Sequence, residues 1–513
     1  MDPLIPSASA LAIKDRHIAW IGDQKNSADW IGKNTQCIDL KGAFVYPGFI
    51  DTHAHILYAG ITKTYLQLHE CRDKQAILKK VEECVKKTSQ DEWIIGVGWN
   101  DHHWLEKRDI SAADLNAVAP NQPVVLQRID THLLWVNSCV LERAGIDDHT
   151  PNPAGGIIGR DSQGHANGIL IDTAMLFVKK IIPAKSFQDN VGIVKAVLQE
   201  CLQKVIKTIH NAATDEADFE IFKDLAVKGA LKVRLYPMAS VKDAQGNCFL
   251  HNGPQAYGDF LQLRCLKMWM DGALGSSGAA LFEPYCNDCE NSGLLLWTEE
   301  DLLSILKQAK SKGFQVAMHA IGDRANHFVL NAYEKIDVKS LRWRIEHAQL
   351  LNPDDIQRFA GLKVIAAMQP LHATTDMFWL EDRIGTKRIE AGAFVWRALL
   401  DQGTKIVGGS DAPVVDFNPL WGIHAAITRQ NHHQFPEKGW YPKQRMTREE
   451  ALKIYTINAA YAGFAEKDLG SLTPGKLADR VILPENLLLC SPQALLNMQV
   501  IYTIVNGAIV YTR

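Results

Sequence analysis

The feature that most limits how this chain can fold is an alternation that runs through its middle. Apolar, β-branched runs recur, among them AFVYPGFID, KVRLYPM, LKMWMDG, FQVAMHA, RWRIEHA, KVIAAMQP and KIVGGSD. Between several of them lie amphipathic stretches, such as Glu299 to Lys312, with Leu302, Leu303 and Leu306 at helical spacing, and Asp355 to Ala360. Strands alternating with helices imply parallel βαβ units, because a parallel neighbour is reached only by a crossover long enough to hold a helix. Eight such units close a (β/α)₈ barrel. The eight strands are expected to end near Asp51, Thr214, Pro237, Met270, His319, His347, Gln369 and Ser410.

The two ends of the chain read differently from the middle and like each other. SALAIKDRHIAWIGD reads as two short strands around a polar turn, and VIYTIVNGAIVYTR as two β-rich runs around Asn506-Gly507, a strong hairpin signal. Each end is too short to fold alone. They are expected to pair as a small β-sandwich, from residues 1–46 and 466–513, with the barrel in 47–57 and 187–465. The stretch 58–186 carries its own strand signals, WIIGVGW and PVVLQRI, and is expected to form an inserted α/β subdomain over the barrel mouth.

Composition narrows the function classes. Of 513 residues 47% are hydrophobic, which supplies a large core and excludes disorder as the main state. The net charge of -3 comes from balanced acids and bases, so neither nucleic acid nor a membrane surface is an expected partner. No apolar run approaches the ~20 residues of a membrane span, and the first residues lack a basic segment followed by an apolar one. Cytoplasmic residence is the expectation. The 10 cysteines are scattered and read as reduced thiols, the CxxC pair Cys286 and Cys289 included, since no second pair accompanies it.

The chemistry concentrates at the ends of the apolar runs. The first ends in His53-Ala54-His55, whose i, i+2 spacing puts both imidazoles on one side of an extended chain. The fourth carries Lys267, the fifth His319, the sixth His347 and the eighth Asp411. Barrel active sites collect residues from several strands at the C-terminal rim. Four histidines and an aspartate there suit zinc or a similar divalent ion, and Asp411 would carry a proton from water to a leaving amine. Taken singly these residues have plain structural readings: Asp411 as a cap before Ala-Pro, His319 as a core histidine, Lys267 as an edge residue. Their co-occurrence on one rim favours the metal site. Asp323 is placed either behind a metal ligand or as the cap of the following helix. His132, within the insertion, is a candidate for polarising the substrate carbonyl. Trp99, Trp104 and Trp135 would line an apolar pocket or fill a core. Arg344 and Glu346 flank His347 in a strand, are expected to face away from it, and read as structural.

The segments PGFIDTHAH, HAIGD, IEHAQ and GSDAPV resemble the signature segments of the amidohydrolase superfamily. The likeness extends over almost the whole chain. GVGWN, LQRIDTHLLWVNS, GGIIGRDSQGHANGIL, KMWMDGALGSSGAAL and GSLTPGKLAD are similar to the YtcJ-like branch, which includes N-substituted formamide deformylases. The resemblance implies that His53, His55 and Asp411 hold one metal and that His319 and His347 hold a second. It implies a carboxylated Lys267 bridging the two, a reaction open to a desolvated, neutral amine. Hydrolysis of a small amide or N-substituted formamide is the expected reaction. A one-metal deaminase, a lactone or ester hydrolase, and an inactive interaction scaffold are the alternatives. Against the usual pattern of the family, Arg480 stands where an apolar residue is common.

Overall fold

The computed structural model describes residues 7–99, 104, 110–129, 133–153, 155–241 and 248–513. Two compact units emerge, one from residues 1–57 with 194–513, the other from 58–193.

The larger unit is built on eight parallel strands among the described residues. They are β1 (Phe49–Ala54), β2 (Ile206–Thr214), β3 (Arg234–Ser240), β4 (Cys265–Trp269), β5 (Gln315–Ala320), β6 (Arg344–His347), β7 (Ile365–Met368) and β8 (Ile406–Gly408). Each pairs in parallel with the next in chain order. Two short strands, Gln255–Tyr257 and Leu261–Leu263, attach at β3. The sheet comes round on itself beyond the ends of β1 and β8: the Asp411 amide donates to the His53 carbonyl at 2.6 Å, and the His55 amide to the Ala412 carbonyl at 2.8 Å. Asp51 Oδ1 accepts from the amides of both His53 and Ser410. The result is a nearly closed (β/α)₈ barrel. Every strand ends within three residues of its expected place. Part of that accuracy has a local cause: strands covered on both faces, such as β4, β7 and β8, are mostly apolar, while β1, also buried throughout, mixes Phe49, Ile50 and Ala54 with Asp51, Thr52 and His53.

The connecting helices obey equally local rules. Glu299–Ser311 starts at Thr298, whose side chain accepts from the Asp301 amide, has three acids in its first turn, and buries Leu302, Ile305, Leu306 and Ala309. Pro353–Leu362 begins with Asn352 as its cap and proline in its first turn, and ends at Lys363 in the left-handed region.

The chain ends share one sheet. The antiparallel strands run 508–512, 502–505, 480–483 and 44–47 in spatial order, and Pro47 lies opposite Arg480. The hairpin at Asn506-Gly507 forms as expected, with φ of 48° and 77°, the left-handed pair that a tight two-residue turn requires. The N-terminal hairpin, Ala10–Lys14 with His17–Gly22, is a separate two-stranded sheet, bonded to the C-terminal segment through the Ile18 amide and Lys476 carbonyl. A shared sheet with an added hairpin is therefore what the expected sandwich amounts to here. Arg480 is buried, with Nη1 unpartnered among the described residues, and burial pulls its pKa down to about 10.

In the smaller unit six strands form a mixed sheet in the order 66–67, 94–99, 124–128, 133–136, 166–172 and 156–160. Trp99 and Trp135 are fully buried, and Trp99 meets both Trp104 and Trp135 at 6.0 Å between ring centres. These indoles pack as core and do not line an open pocket. All ten cysteines are free, and Cys286 and Cys289 are exposed.

Candidate metal centre

The site grows from the C-terminal rim. β1 delivers His53 and His55, and the turn beyond β8 delivers Asp411. His53 Nε2 and His55 Nε2 lie 3.4 and 3.0 Å from Asp411 Oδ1. Each ring is held from behind through its other nitrogen. His53 Nδ1 is bonded to the Glu346 carboxylate, and His55 Nδ1 to the Ala212 carbonyl at 3.1 Å. The Glu346 bond to His53 Nδ1 leaves the His53 Nε2 lone pair free and aimed, the arrangement that fixes metal-binding histidines elsewhere, while His55 Nε2 is hydrogen-bonded to Asp411 Oδ1.

Glu346 corrects the sequence reading. Arg344 and Glu346 point into the barrel, as strand alternation allows, and both are wholly buried. Arg344 Nη2 donates to Glu346 Oε2 at 2.9 Å and to the Thr52 carbonyl at 2.8 Å. Burial pushes the Glu346 carboxyl up, but Arg344 and His53 more than offset it and hold the group down to about 2. An ionised carboxylate thus stands directly behind His53. His347 should face away from Glu346, yet it reaches the same site because its φ is 72°, followed by 43° at Ala348. The strand ends in left-handed backbone, and the ring swings back to the rim. There its centre lies 4.6 Å from the His319 ring and 5.0 Å from the His53 ring, and Nδ1 bonds Gln369 Oε1 at 2.8 Å. Burial, and then His319, holds the His347 imidazole well below the ordinary histidine value.

His319 extends from β5, with Nε2 3.3 Å from the Gly272 carbonyl and 3.6 Å from Asp271 Oδ1. Asp271 was not anticipated either. It is buried and accepts from the amides of Ala280, Ile321 and Gly322 at 2.8–3.0 Å, tying the segment after β4 to the segment after β5. Burial pulls the His319 ring down to about 3, with Lys267 adding to the effect, so it too is a neutral donor.

Lys267 sits in β4 with 1% of its surface exposed. Its Nζ has no hydrogen-bond partner among the described residues. Burial pulls the amine down to about 8, only partly offset by Glu346 and Asp411.

The remaining expectations divide. His132 lies outside the described residues. Asp323 opens the helix Asp323–Ile336, and its Oδ1 accepts from the amides of Phe282 and Arg324. Asp323 is the first residue of that helix, whose cap is Gly322, and its bonds tie the helix start to Phe282; Glu346, Asp271 and Gln369 are the groups seen behind the histidines. His372, also unanticipated, stands in the helix Pro370–Asp376 just beyond β7. Its Nε2 is 4.0 Å from Asp411 Oδ2. His53, His55 and Asp411 form one set of donors close enough to hold an ion, and His347, His372 and Asp411 a second. A signal for the missed residues existed: Asp271 and His372 each follow a barrel strand by two to four residues, where barrel chemistry gathers.

Comparison with known proteins agrees with this geometry. The sequence pattern of the Amidohydrolase family, Amidohydro_3, matches residues 36–511. YtcJ of Bacillus subtilis (strain 168) is 31% identical over 98% of this chain and 96% of its own. N-substituted formamide deformylase of Arthrobacter pascens is 24% identical over 99% of this chain and 95% of its own. Among solved structures, an uncharacterized metal-dependent hydrolase from Pyrococcus horikoshii OT3 superposes with a TM-score of 0.80 at 25% identity, covering 94% of this chain and 95% of that one.

Proposed function

The chain belongs to the amidohydrolase family, and from that premise we propose that this metal-dependent hydrolase cleaves a non-peptide C–N bond in a small amide or N-substituted formamide. The observation that carries the reading is the convergence of His53, His55, Lys267, His319, His347 and Asp411 on one rim, with the rings of His53, His55 and His347 held from behind and burial pulling His319 down to about 3.

The donor set fits two divalent ions, zinc by its mixture of imidazole and carboxylate. His53, His55 and Asp411 would hold the first, and His319 and His347 the second. The Lys267 amine lies over the Trp269 ring at 5.0 Å and makes no hydrogen bond among the described residues, which supports a carbamate there: a buried amine without a hydrogen bond is costly as a cation, and the neutral form adds carbon dioxide. Bound there, the ions supply a water acidified toward pKa ~7 and a polarised substrate carbonyl.

The chain's own groups do the rest. Glu346 and the Ala212 carbonyl fix the His53 and His55 rings. Arg344 keeps Glu346 ionised, so it remains an acceptor for His53 Nδ1. The Asp411 carboxylate takes the proton of the attacking water and delivers it to the departing nitrogen. A one-metal deaminase leaves Lys267 without a purpose, and an inactive scaffold does not call for a complete donor set.

The test joins metal analysis of the zinc-loaded protein to a panel of N-substituted formamides, other amides, esters and lactones. About two ions per chain with turnover of the C–N substrates is the expected result. Turnover confined to esters and lactones would sink the C–N reading, and a metal-free, inactive protein would sink the whole.

Glu346→Gln keeps the shape behind His53 and removes the charge. Divalent-ion affinity is expected to fall ~10–100-fold, read by competition with a chelator, and unchanged affinity would detach Glu346 from metal binding. The same carboxyl bears on stability. Its folded pKa of about 2 is below the ordinary 4.5, so its contribution is present above about pH 4.5 and fades as the pH falls toward 2.

No helix among the described residues is long and apolar enough to cross a membrane.

A further inference from the structure

The Asp411 carboxylate has two faces, and only one belongs to the pair from β1. Oδ1 lies between His53 Nε2 and His55 Nε2, while Oδ2 is turned toward His372 Nε2. His347, His372 and Asp411 bring one donor atom each within 4.8 Å of one another. The His347 and His372 rings are nearly parallel, 8° apart with centres at 6.2 Å. Gln369 occupies His347 Nδ1 and so leaves its Nε2 free. His372 Nε2 is buried and has no hydrogen-bond partner among the described residues.

We propose that His372 is a metal ligand, which with His347 completes the second metal position beside the Asp411 carboxylate. The inference rests on the two-ion reading above and adds to it a ligand after β7. The separation of 4.0 Å between His372 Nε2 and Asp411 Oδ2 is too long for a hydrogen bond. Donors ~2.0–2.2 Å from a tetrahedral zinc stand ~3.4 Å apart, so an ion shared by the two atoms asks only for a shift of about half an ångström. An unpaired buried nitrogen is otherwise a standing cost to the fold, which ligation removes. His319 Nε2 is engaged with the Gly272 carbonyl, so His319 can serve this position only through its other nitrogen.

Metal analysis of the full chain, loaded with zinc and freed of excess by gel filtration, tests the assignment without a substrate. The wild type is expected to hold about two ions, and His372→Ala about one, with an unchanged circular dichroism spectrum. His372→Gln provides a second variant of similar bulk should the alanine form fold poorly, and the same loss is expected from it. Cobalt(II) loading gives an independent readout: the visible absorption of the second ion is expected to disappear in either variant. Two ions retained with unchanged affinity and an unchanged cobalt spectrum would overturn the ligand role of His372 alone. A wild type that binds no metal would overturn it together with the reading beneath it.

Discussion

Asp411→Asn is expected to lower kcat/KM by ~10²–10⁴-fold, the range for loss of a positioned acid–base group. Asparagine keeps the size of the side chain and one carbonyl oxygen, so the contact with His53 and His55 through that oxygen survives in shape. It cannot take a proton from water and pass it to nitrogen. Asp411 is well prepared for that work. Burial opposes its charge, but His53, together with the hydrogen bond from His55, keeps it ionised well below the ordinary carboxylate range. Its backbone is also part of the frame, because the Asp411 amide donates to the His53 carbonyl where β8 meets β1. The variant should therefore fold, and thermal melting checks this. Substrates with a better leaving group, which need less protonation at nitrogen, should lose less activity than poor ones. Full activity in Asp411→Asn would end the proton-carrier role.

Lys267 yields the second large effect, and it has two opposite signs. Lys267→Met is expected to weaken metal binding by more than the ~10–100-fold that loss of an outer partner costs, and to remove turnover with it. The metal-free variant, by contrast, is expected to be more stable than the metal-free wild type by about 1–3 kcal/mol. It replaces a buried amine that makes no hydrogen bond among the described residues with an apolar chain of similar length. Denaturant melts with and without zinc measure both sides. Labelled bicarbonate, followed by carbonyl NMR, tests for the carbamate directly in the wild type. A Lys267→Met protein that binds zinc as tightly as wild type would show that Lys267 has no part in the centre.

Much of this centre could be read before any fold was known, and the parts that could not share a cause. His53 and His55 were legible because two residues apart in an extended chain means one face, a statement about three consecutive residues. Glu346 was misread by the same rule. Alternation puts it opposite His347, and it is opposite along the strand; but β6 ends in left-handed backbone at His347 and Ala348, which brings the histidine round to the side where Glu346 points. No local pattern announces that turn at a histidine. The bond between His53 and Glu346 joins residues 293 apart, so Glu346 acquires its role only when β1 and β6 face each other across the barrel. Asp323 was ambiguous in sequence; it stands one position inside a helix capped by Gly322 and accepts from the Phe282 and Arg324 amides.

What the sequence determined alone was the set of strands and the identity of the rim. Most barrel strands are runs rich in apolar residues with polar residues at or just past their C-terminal ends, though β2 also carries Lys207, Thr208, His210 and Asn211, and burial on both faces favours that pattern whatever the neighbours are. The tertiary structure decided how those rim residues are aimed. The Asp411 carboxylate lies between two histidine pairs because β8 closes against β1. His372 enters because the helix after β7 turns inward toward Asp411. Asp271 matters because two loops wrap their amides around it. Orientation at a strand end depends on a few backbone torsions and on partners hundreds of residues away, and both are settled by packing of the closed barrel.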